Sequence, residues 1–294
     1  MAGIRYNVKM ALKYDLHSHS TASDGTLAPA ALVARAAEAG IDALALTDHD
    51  TTDGMEEAWD EARRRGIELI PGVEVSVTWK GRVVHVVGLR IDPDNRVLQR
   101  GLARLRDFRE WRAEEIARRL HQSGISGAYE GARAFARKGL ISRTHFARFL
   151  VREGRARDER QVFKHFLVAG KPGHVKGEWA DLAEAVSWIR GAGGEAVIAH
   201  PARYRLTRTR LRRLIKEFTQ AGGVALEVVS GSHSRDDYFT MARHANDWGL
   251  RASAGSDYHG PEKPWIELGR LPPLPEICVP IWRDWDMRRD AAMA

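Results

Sequence analysis

The 294-residue chain has a single cysteine, Cys278, so neither an internal disulfide framework nor a thiolate metal site is open to it. Cys278 reads as a small buried hydrophobe. No apolar run reaches the roughly 18 residues that a membrane span requires, and no signal-peptide pattern is visible. The cytoplasm is therefore the expected compartment, and nothing points to a membrane or to an obligate protein partner. Internal repeats and low-complexity segments are also lacking. Acidic residues are scarce in two places. Residues 101–176 carry 18 Lys and Arg against 8 Asp and Glu, in a chain whose net charge is +7. Arg203 to Lys216 holds seven basic residues and no acidic one. The rest is acidic on balance. Positive charge gathered beside an acidic remainder suggests a polyanionic partner, although a solvated basic helix face has the same composition.

What is present reads as an ordinary soluble globular protein, 44% hydrophobic and 29% charged. Its length suits one α/β barrel as well as two domains. Strand and helix patterns alternate from the start. Tyr14-Asp-Leu-His-Ser-His19 is a short strand, and Pro29 to Gly40 a helix with Pro near its start and Gly past its end. Ala43 to Thr47, Glu68 to Ser76 and Arg82 to Leu89 read as strands, with a helix from Met55 to Arg65. This alternation implies parallel strands joined by helical crossovers. From about 95 to 165 the strand signal vanishes and charged helices follow, among them Leu105 to Gln122 and Thr144 to Glu153. The rhythm returns with helices near 180–191 and 210–221 and strands at Ala196–Ala199, Val224–Val229 and Arg251–Ala254. The chain thus divides into a barrel (10–95 and 180–275), a basic helical insertion (96–179) and a C-terminal tail (276–294). Residues 1–9 match no element, and Met10 is a plausible natural start.

Candidate chemistry gathers at the strand ends. Side chains two apart on a strand point the same way, which pairs His17 with His19 and Asp257 with His259. His49, Glu74 and His200 also sit at C-terminal strand ends, where the loops of an α/β barrel converge, while His85 lies inside a strand. A lone strand histidine is more often structural than a ligand. Six histidines with three carboxylates at one rim are different, because such groups need cations to compensate their burial and repulsion. An all-nitrogen and oxygen set suits Mn, Fe, Zn or Mg.

Asp15-Leu-His-Ser-His-Ser20, Ser23-Asp-Gly25, Thr47-Asp-His-Asp50, Gly72-Val-Glu-Val-Ser76, His85, Ala199-His-Pro201 and Gly255-Ser-Asp-Tyr-His-Gly260 resemble, in order, the motifs of the PHP (polymerase and histidinol phosphatase) superfamily. The match spans about residues 14–275. The resemblance implies a distorted, TIM-like (β/α)7 barrel and up to three divalent ions, manganese being favoured. Carried over by position, His17, His19, Glu74 and Asp257 would hold the first metal. Glu74, His85 and His200 would hold the second, with Glu74 bridging. Asp24, His49 and His259 would hold the third, Asp24 standing where many PHP proteins have histidine. A metal-bound hydroxide would attack, with no protein nucleophile. Asp48 would orient a ligand imidazole or bond the backbone at its strand end.

Within the insertion, Ile141-Ser-Arg-Thr-His-Phe-Ala-Arg148 and Gly170-Lys-Pro-Gly-His-Val175 resemble the subgroup of 3′,5′-nucleoside bisphosphate phosphatases and RNase AM-type 5′→3′ exoribonucleases. Val229-Ser-Gly-Ser-His-Ser234 and Ala199-His-Pro-Ala-Arg-Tyr204 do so too. Ser142 suits a helix cap that aims Arg143 at an anion. Arg143, His145, Lys171, Arg203 and His233 are the candidate substrate contacts. The expected substrate is a 3′,5′-bisphosphonucleotide or short 5′-phosphorylated RNA, cleaved at its 3′-phosphoryl bond. A small-molecule phosphatase of the histidinol-phosphate kind, or a non-catalytic metal- or nucleic-acid-binding PHP module, are the alternatives.

Overall fold

A computed structural model describes residues 12–137 and 139–285. Short apolar runs buried on both faces, such as Ala43–Leu46, make the strands of a single sheet. In order these are β1 (Tyr14–Asp15), β2 (Ala43–Leu46), β3 (Glu68–Trp79), β4 (Arg82–Leu89), β5 (Glu195–Ile198), β6 (Ala225–Ser230) and β7 (Arg251–Gly255). Each strand pairs with the next in the chain. Backbone bonds from Leu16 N to Ala254 O (2.9 Å) and Asp257 N to His17 O (2.9 Å) join the first strand to the last and close the sheet into a barrel.

The expectation of parallel strands throughout needs one correction. β4 runs antiparallel to both β3 and β5. Only Lys80 and Gly81 separate β3 from β4, at φ of 48° and 75°. Two residues with positive φ make a tight hairpin turn and leave no room for a crossover. The reversal brings the N-terminal half of β4 to the rim where its parallel neighbours end. His85, paired with Ser76, therefore faces that rim although it lies within a strand.

Helices α1 (Pro29–Glu38) and α2 (Met55–Arg65) follow β1 and β2. Between β4 and β5 come α3 (Arg96–Gln122), α4 (Ala128–Ala136), α5 (Arg143–Arg152), α6 (Glu159–Val162), a π-helical turn at Phe163–Leu167, and α7 (Leu182–Gly191). α8 (Arg208–Gln220) and α9 (Arg235–Asp247) complete the barrel side. α3 begins a turn or more before Leu105, because Asn95 caps it by accepting from Val97 N and Leu98 N. That helix belongs to two cores. Leu98, Leu102 and Leu105 pack with Val73, Val86 and Ile189 of the barrel, whereas Ala113, Ile116 and Leu120 pack with Ala132, Phe146 and Leu150 of the insertion.

The C-terminal segment turns back onto the barrel floor, where Ile281 and Trp285 join Leu16, Ala45 and Val197. Residues 286–294, like Met10 and the residues before it, lie outside the described residues. No described helix is long and apolar enough to cross a membrane.

Candidate metal centre and adjoining cleft

Glu74 is the hub of the rim. It is fully buried, and its Oε2 lies 3.3 Å from Nε2 of both His17 and His19 and 2.9 Å from His49 Nδ1. Its Oε1 lies 2.8 Å from His85 Nδ1 and 3.0 Å from His200 Nε2. Asp257 Oδ1 is 3.3 Å from His19 Nε2 and 3.6 Å from His17 Nε2. Asp24 Oδ1 is 3.3 Å from His259 Nε2 and 3.8 Å from His49 Nε2. All nine candidate ligands thus share one site. Three sets of donor atoms fall within 4.8 Å of one another: His17, His19, Glu74 and Asp257; His19, Asp24, His49 and His259; and His49, Glu74 and His85. His49 stands in two of these sets, and His200 meets the third through Glu74 Oε1.

The chemistry of these atoms fits cations. Glu227 Oε1 can only accept, so the proton on His17 sits on Nδ1, 3.0 Å away. In the neutral ring that a metal ligand requires, the Nε2 lone pair of His17 then points at His19 Nε2, 3.1 Å away. His259 Nδ1 faces the Asp257 carbonyl at 2.8 Å, which turns its Nε2 toward Asp24 Oδ1. Asp24 Oδ1, Glu74 Oε2 and His49 Nδ1 are buried without a hydrogen bond. Acceptors facing acceptors in a buried site repel each other, and a shared cation reverses the sign of that interaction. Burial alone would lower His17, yet Glu227, Glu74 and Asp257 hold it well above the usual imidazole range. His49, by contrast, is pushed down to about 4, chiefly by burial.

The backbone is strained where it delivers these ligands. His200 and Asp257 have φ of 31° and 57°. A side chain at Gly255 would collide with His17 Cβ and Glu227 Oε1, so only glycine fits beside them. Glu227 is an addition to the expected residues. It holds His17 through Oε1, and its Oε2 accepts from the backbone N of His200 at 2.5 Å. Its one signal in the sequence is a single acid inside the apolar strand Val224-Ala-Leu-Glu-Val-Val229. Among the described residues Asp48 makes no direct hydrogen bond to an imidazole, and reaches His19 only through Ser23 Oγ, 3.5 Å from His19 Nδ1. It accepts from Ser20 N and Oγ and from Ser23 Oγ at 2.6–2.8 Å, anchoring the loop that carries Asp24.

Beside the cluster lies a cleft of about 420 Å³, lined by the candidate ligands other than His17 and His19 together with Arg109, Arg112, Arg143, Trp179 and Arg203. Arg109 is held by Asp50 Oδ2 and Ser76 Oγ. The planes of Arg109 and Arg112 lie over Trp179, 5.0 and 5.4 Å from its ring centre. Arg112 is buried, and burial followed by Arg143 and Arg109 pushes its guanidinium down to about 9. Among the described residues neither Arg112 nor Arg143 is in an ion pair. Arg203 donates to Asp257 Oδ2 at 3.0 Å.

Of the five expected substrate contacts, Arg143 and Arg203 line this cleft and three do not. His145 is buried and accepts from Ser142 N at 3.0 Å, closing a capping box on α5. His233 is wedged between Val228 O and Ala202 N, at 3.1 and 3.3 Å, where it ties the Pro201 turn to β6. Lys171 is exposed on its turn, away from the cleft lining.

The PHP domain family model matches residues 15–230. The chain belongs to the PHP domain family. Its sequence is 50% identical over 275 residues to a 3′,5′-nucleoside bisphosphate phosphatase of Chromobacterium violaceum, covering 93% of this chain and 96% of that one. It is 45% identical over 273 residues to a 5′-3′ exoribonuclease of Haemophilus influenzae, covering 93% and 99%. The fold matches a solved structure of an amidohydrolase from Chromobacterium violaceum with bound sulfate, at a TM-score of 0.89 and 50% identity, over 92% of this chain and 95% of that one.

Proposed function

We propose that this PHP protein is a metal-dependent phosphoesterase that hydrolyses the 3′-phosphoryl bond of 5′-phosphorylated nucleotides, either as 3′,5′-bisphosphonucleotides or at the first linkage of short RNA. The observation that carries the reading is the presence of Arg112 and Arg143, neither in an ion pair among the described residues, in a cleft beside the nine-ligand cluster. A buried and a half-buried guanidinium outside any ion pair favour a dianionic guest such as a terminal phosphate. One relative is named as a 3′,5′-nucleoside bisphosphate phosphatase, whose substrate carries such a second phosphate, and another as a 5′-3′ exoribonuclease.

His17, His19, Glu74 and Asp257, with Asp24, His49, His85, His200 and His259, would hold up to three divalent ions, manganese being the favoured one. When bound, such ions supply Lewis acidity and lower the pKa of water. The chain's own residues do the rest. Arg112 and Arg143 bind the 5′-phosphate, with Arg109 fixed beside them by Asp50. Arg203, tied to Asp257, stands between that subsite and the reacting phosphorus. Water adds to this phosphorus as its bond to O3′ breaks. A bisphosphonucleotide then yields a nucleoside 5′-phosphate and inorganic phosphate. RNA yields a 5′-mononucleotide and a shortened chain that again begins with a 5′-phosphate. A histidinol-phosphate-type substrate would leave the arginines without a partner.

The test compares a 3′,5′-bisphosphonucleotide with 5′-phosphorylated and 5′-hydroxyl short RNAs, reading phosphate release and product length. Chelation should abolish turnover and Mn restore it. Full activity in metal-stripped protein, or equal kcat/KM with and without the 5′-phosphate, overturns the proposal.

A further inference from the structure

A second cavity, of about 1060 Å³, opens on the far side of His259. Glu159, Phe163, His259, Lys263 and Trp265 line both this cavity and the arginine cleft, so the two form one continuous trough across the rim. Resting on the function proposed above, we infer that this outer groove carries the RNA chain on the 3′ side of the scissile phosphate.

Direction supports this occupant. The arginine cleft is backed by buried Arg112 and by Trp179, so a 5′-phosphate seated there is a chain end. Whatever continues beyond the reacting phosphorus must leave past His259, which is where the outer groove begins. Charge supports it as well. Arg137, Arg160 and Lys263 line the groove or its junction, and none is in an ion pair among the described residues. Two of the three nearby acids are already paired with cations, Asp158 with Arg157 and Glu159 with Arg148, and Glu262 accepts from the Thr26 hydroxyl. The groove therefore presents uncommitted cations to whatever enters it.

Trp265 supplies the third observation. It stands 76% exposed at the junction of the two cavities, the most exposed large apolar side chain among the described residues. An exposed ring flanked by uncommitted cations is what single-stranded nucleic acid uses, with bases stacked on the aromatic face and phosphates on the charges. Inorganic phosphate leaving the centre needs neither. RNA of two or more nucleotides needs both, so the groove adds affinity for RNA that a bisphosphonucleotide cannot gain.

The experiment measures binding to Mn-loaded protein of a phosphorothioate-linked, 5′-phosphorylated tetranucleotide, which resists cleavage, and of a 3′,5′-bisphosphoadenosine analogue made equally uncleavable by a methylene in place of its 3′ ester oxygen. The tetranucleotide should bind more tightly to the wild type. An Arg137→Ala, Arg160→Ala double variant should weaken it by about 10-fold or more while the bisphosphate stays within about twofold. Trp265→Ala should weaken the tetranucleotide comparably. Unchanged tetranucleotide binding in the double variant overturns the inference. So does an equal loss of both ligands, which would put the two arginines in the nucleotide cleft. Should the bisphosphate fail to bind the wild type while the tetranucleotide binds and responds to the variants, the groove stands and the arginine-cleft reading fails instead.

Discussion

Ser142 Oγ donates to Asp24 Oδ2 at 3.1 Å, joining the start of α5 to a carboxylate of the candidate metal centre. The same oxygen caps the helix by accepting from Thr144 N at 3.1 Å. Arg148, one turn along, donates to the Asp24 backbone carbonyl at 3.0 Å. Arg143 lies between these two anchors. The element that presents a guanidinium to substrate and the loop that presents Asp24 are thus positioned against each other, and neither can shift alone.

Ser142→Ala removes both bonds. The cap is worth about 1 kcal/mol, so the melting temperature should fall by a few degrees. Because Asp24 loses its tether as well, kcat/KM should fall on a 3′,5′-bisphosphonucleotide and on p-nitrophenyl phosphate alike, and Ser142→Thr should recover most of it. A lower melting temperature with both activities intact would reduce Ser142 to a cap.

Glu227 fixes the tautomer of His17. Glu227→Gln offers an amide that can present either oxygen or nitrogen, so His17 Nε2 is no longer aimed at Glu74 by necessity. Loss of such a partner costs about 10- to 100-fold in metal affinity. Metal content after dialysis against a graded chelator reads this directly, independent of turnover. Retention equal to the wild type would show that packing alone orients the ring.

Much of this centre is legible in the amino-acid sequence, because metal ligands must be His, Asp or Glu and must sit where strands end. His17, His19, His49 and Glu74 declare themselves on those grounds. The partners of the ligands are harder to see. Thr47-Asp-His-Asp50 looks like one motif, yet its side chains diverge. Asp48 goes to Ser20 and Ser23, and Asp50 goes to Arg109 and the Ser76 backbone. Nothing local to that segment specifies partners 25 to 59 residues away.

Arg109 and Arg112 escape a sequence reading for another reason. α3 is so rich in arginine that composition distinguishes none of them. Periodicity does. The buried stripe of α3 runs Leu98, Leu102, Leu105, Arg109, Arg112, Ile116, Leu120, so two arginines occupy positions where a helix of this kind places leucine or isoleucine. His145 and His233 mislead in the opposite sense. Their motifs stand out, but His145 closes the capping box of α5 and His233 spends both nitrogens on the Pro201 turn and β6.

The cost of burying Arg112 gives a stability prediction. Its folded-state pKa lies below the usual guanidinium value, so the charged form is disfavoured in the fold. That penalty is present in full below about pH 9 and fades only as pH rises from there toward 12.5. At neutral pH an anion relieves it. Arg112→Met keeps the stem over Trp179 and removes the charge, while the Val175 carbonyl loses a donor at 3.3 Å, a cost of about 1 kcal/mol. The two effects oppose, and the melting temperature should change little. The rise in melting temperature that adenosine 5′-phosphate gives the wild type should largely vanish. A full ligand-induced rise in the variant would take Arg112 out of phosphate binding.

Arg143 separates recognition from catalysis. It stands beside the capping residue with its guanidinium 5.5 Å from the centre of the Phe163 ring, so its direction is fixed rather than free. Arg143→Ala should lose a charge-assisted contact of about 1.5–3 kcal/mol, or about 10- to 150-fold in kcat/KM for a 3′,5′-bisphosphonucleotide. p-Nitrophenyl phosphate has no second phosphate to hold, so its turnover should scarcely change. The two substrates share the reacting phosphorus and differ in what lies beyond it, which is why their ratio isolates the 5′-phosphate subsite. Equal losses on both would show that Arg143 supports the metal centre through Ser142 and Asp24. No loss on either would leave the 5′-phosphate to Arg112 and Arg109 alone.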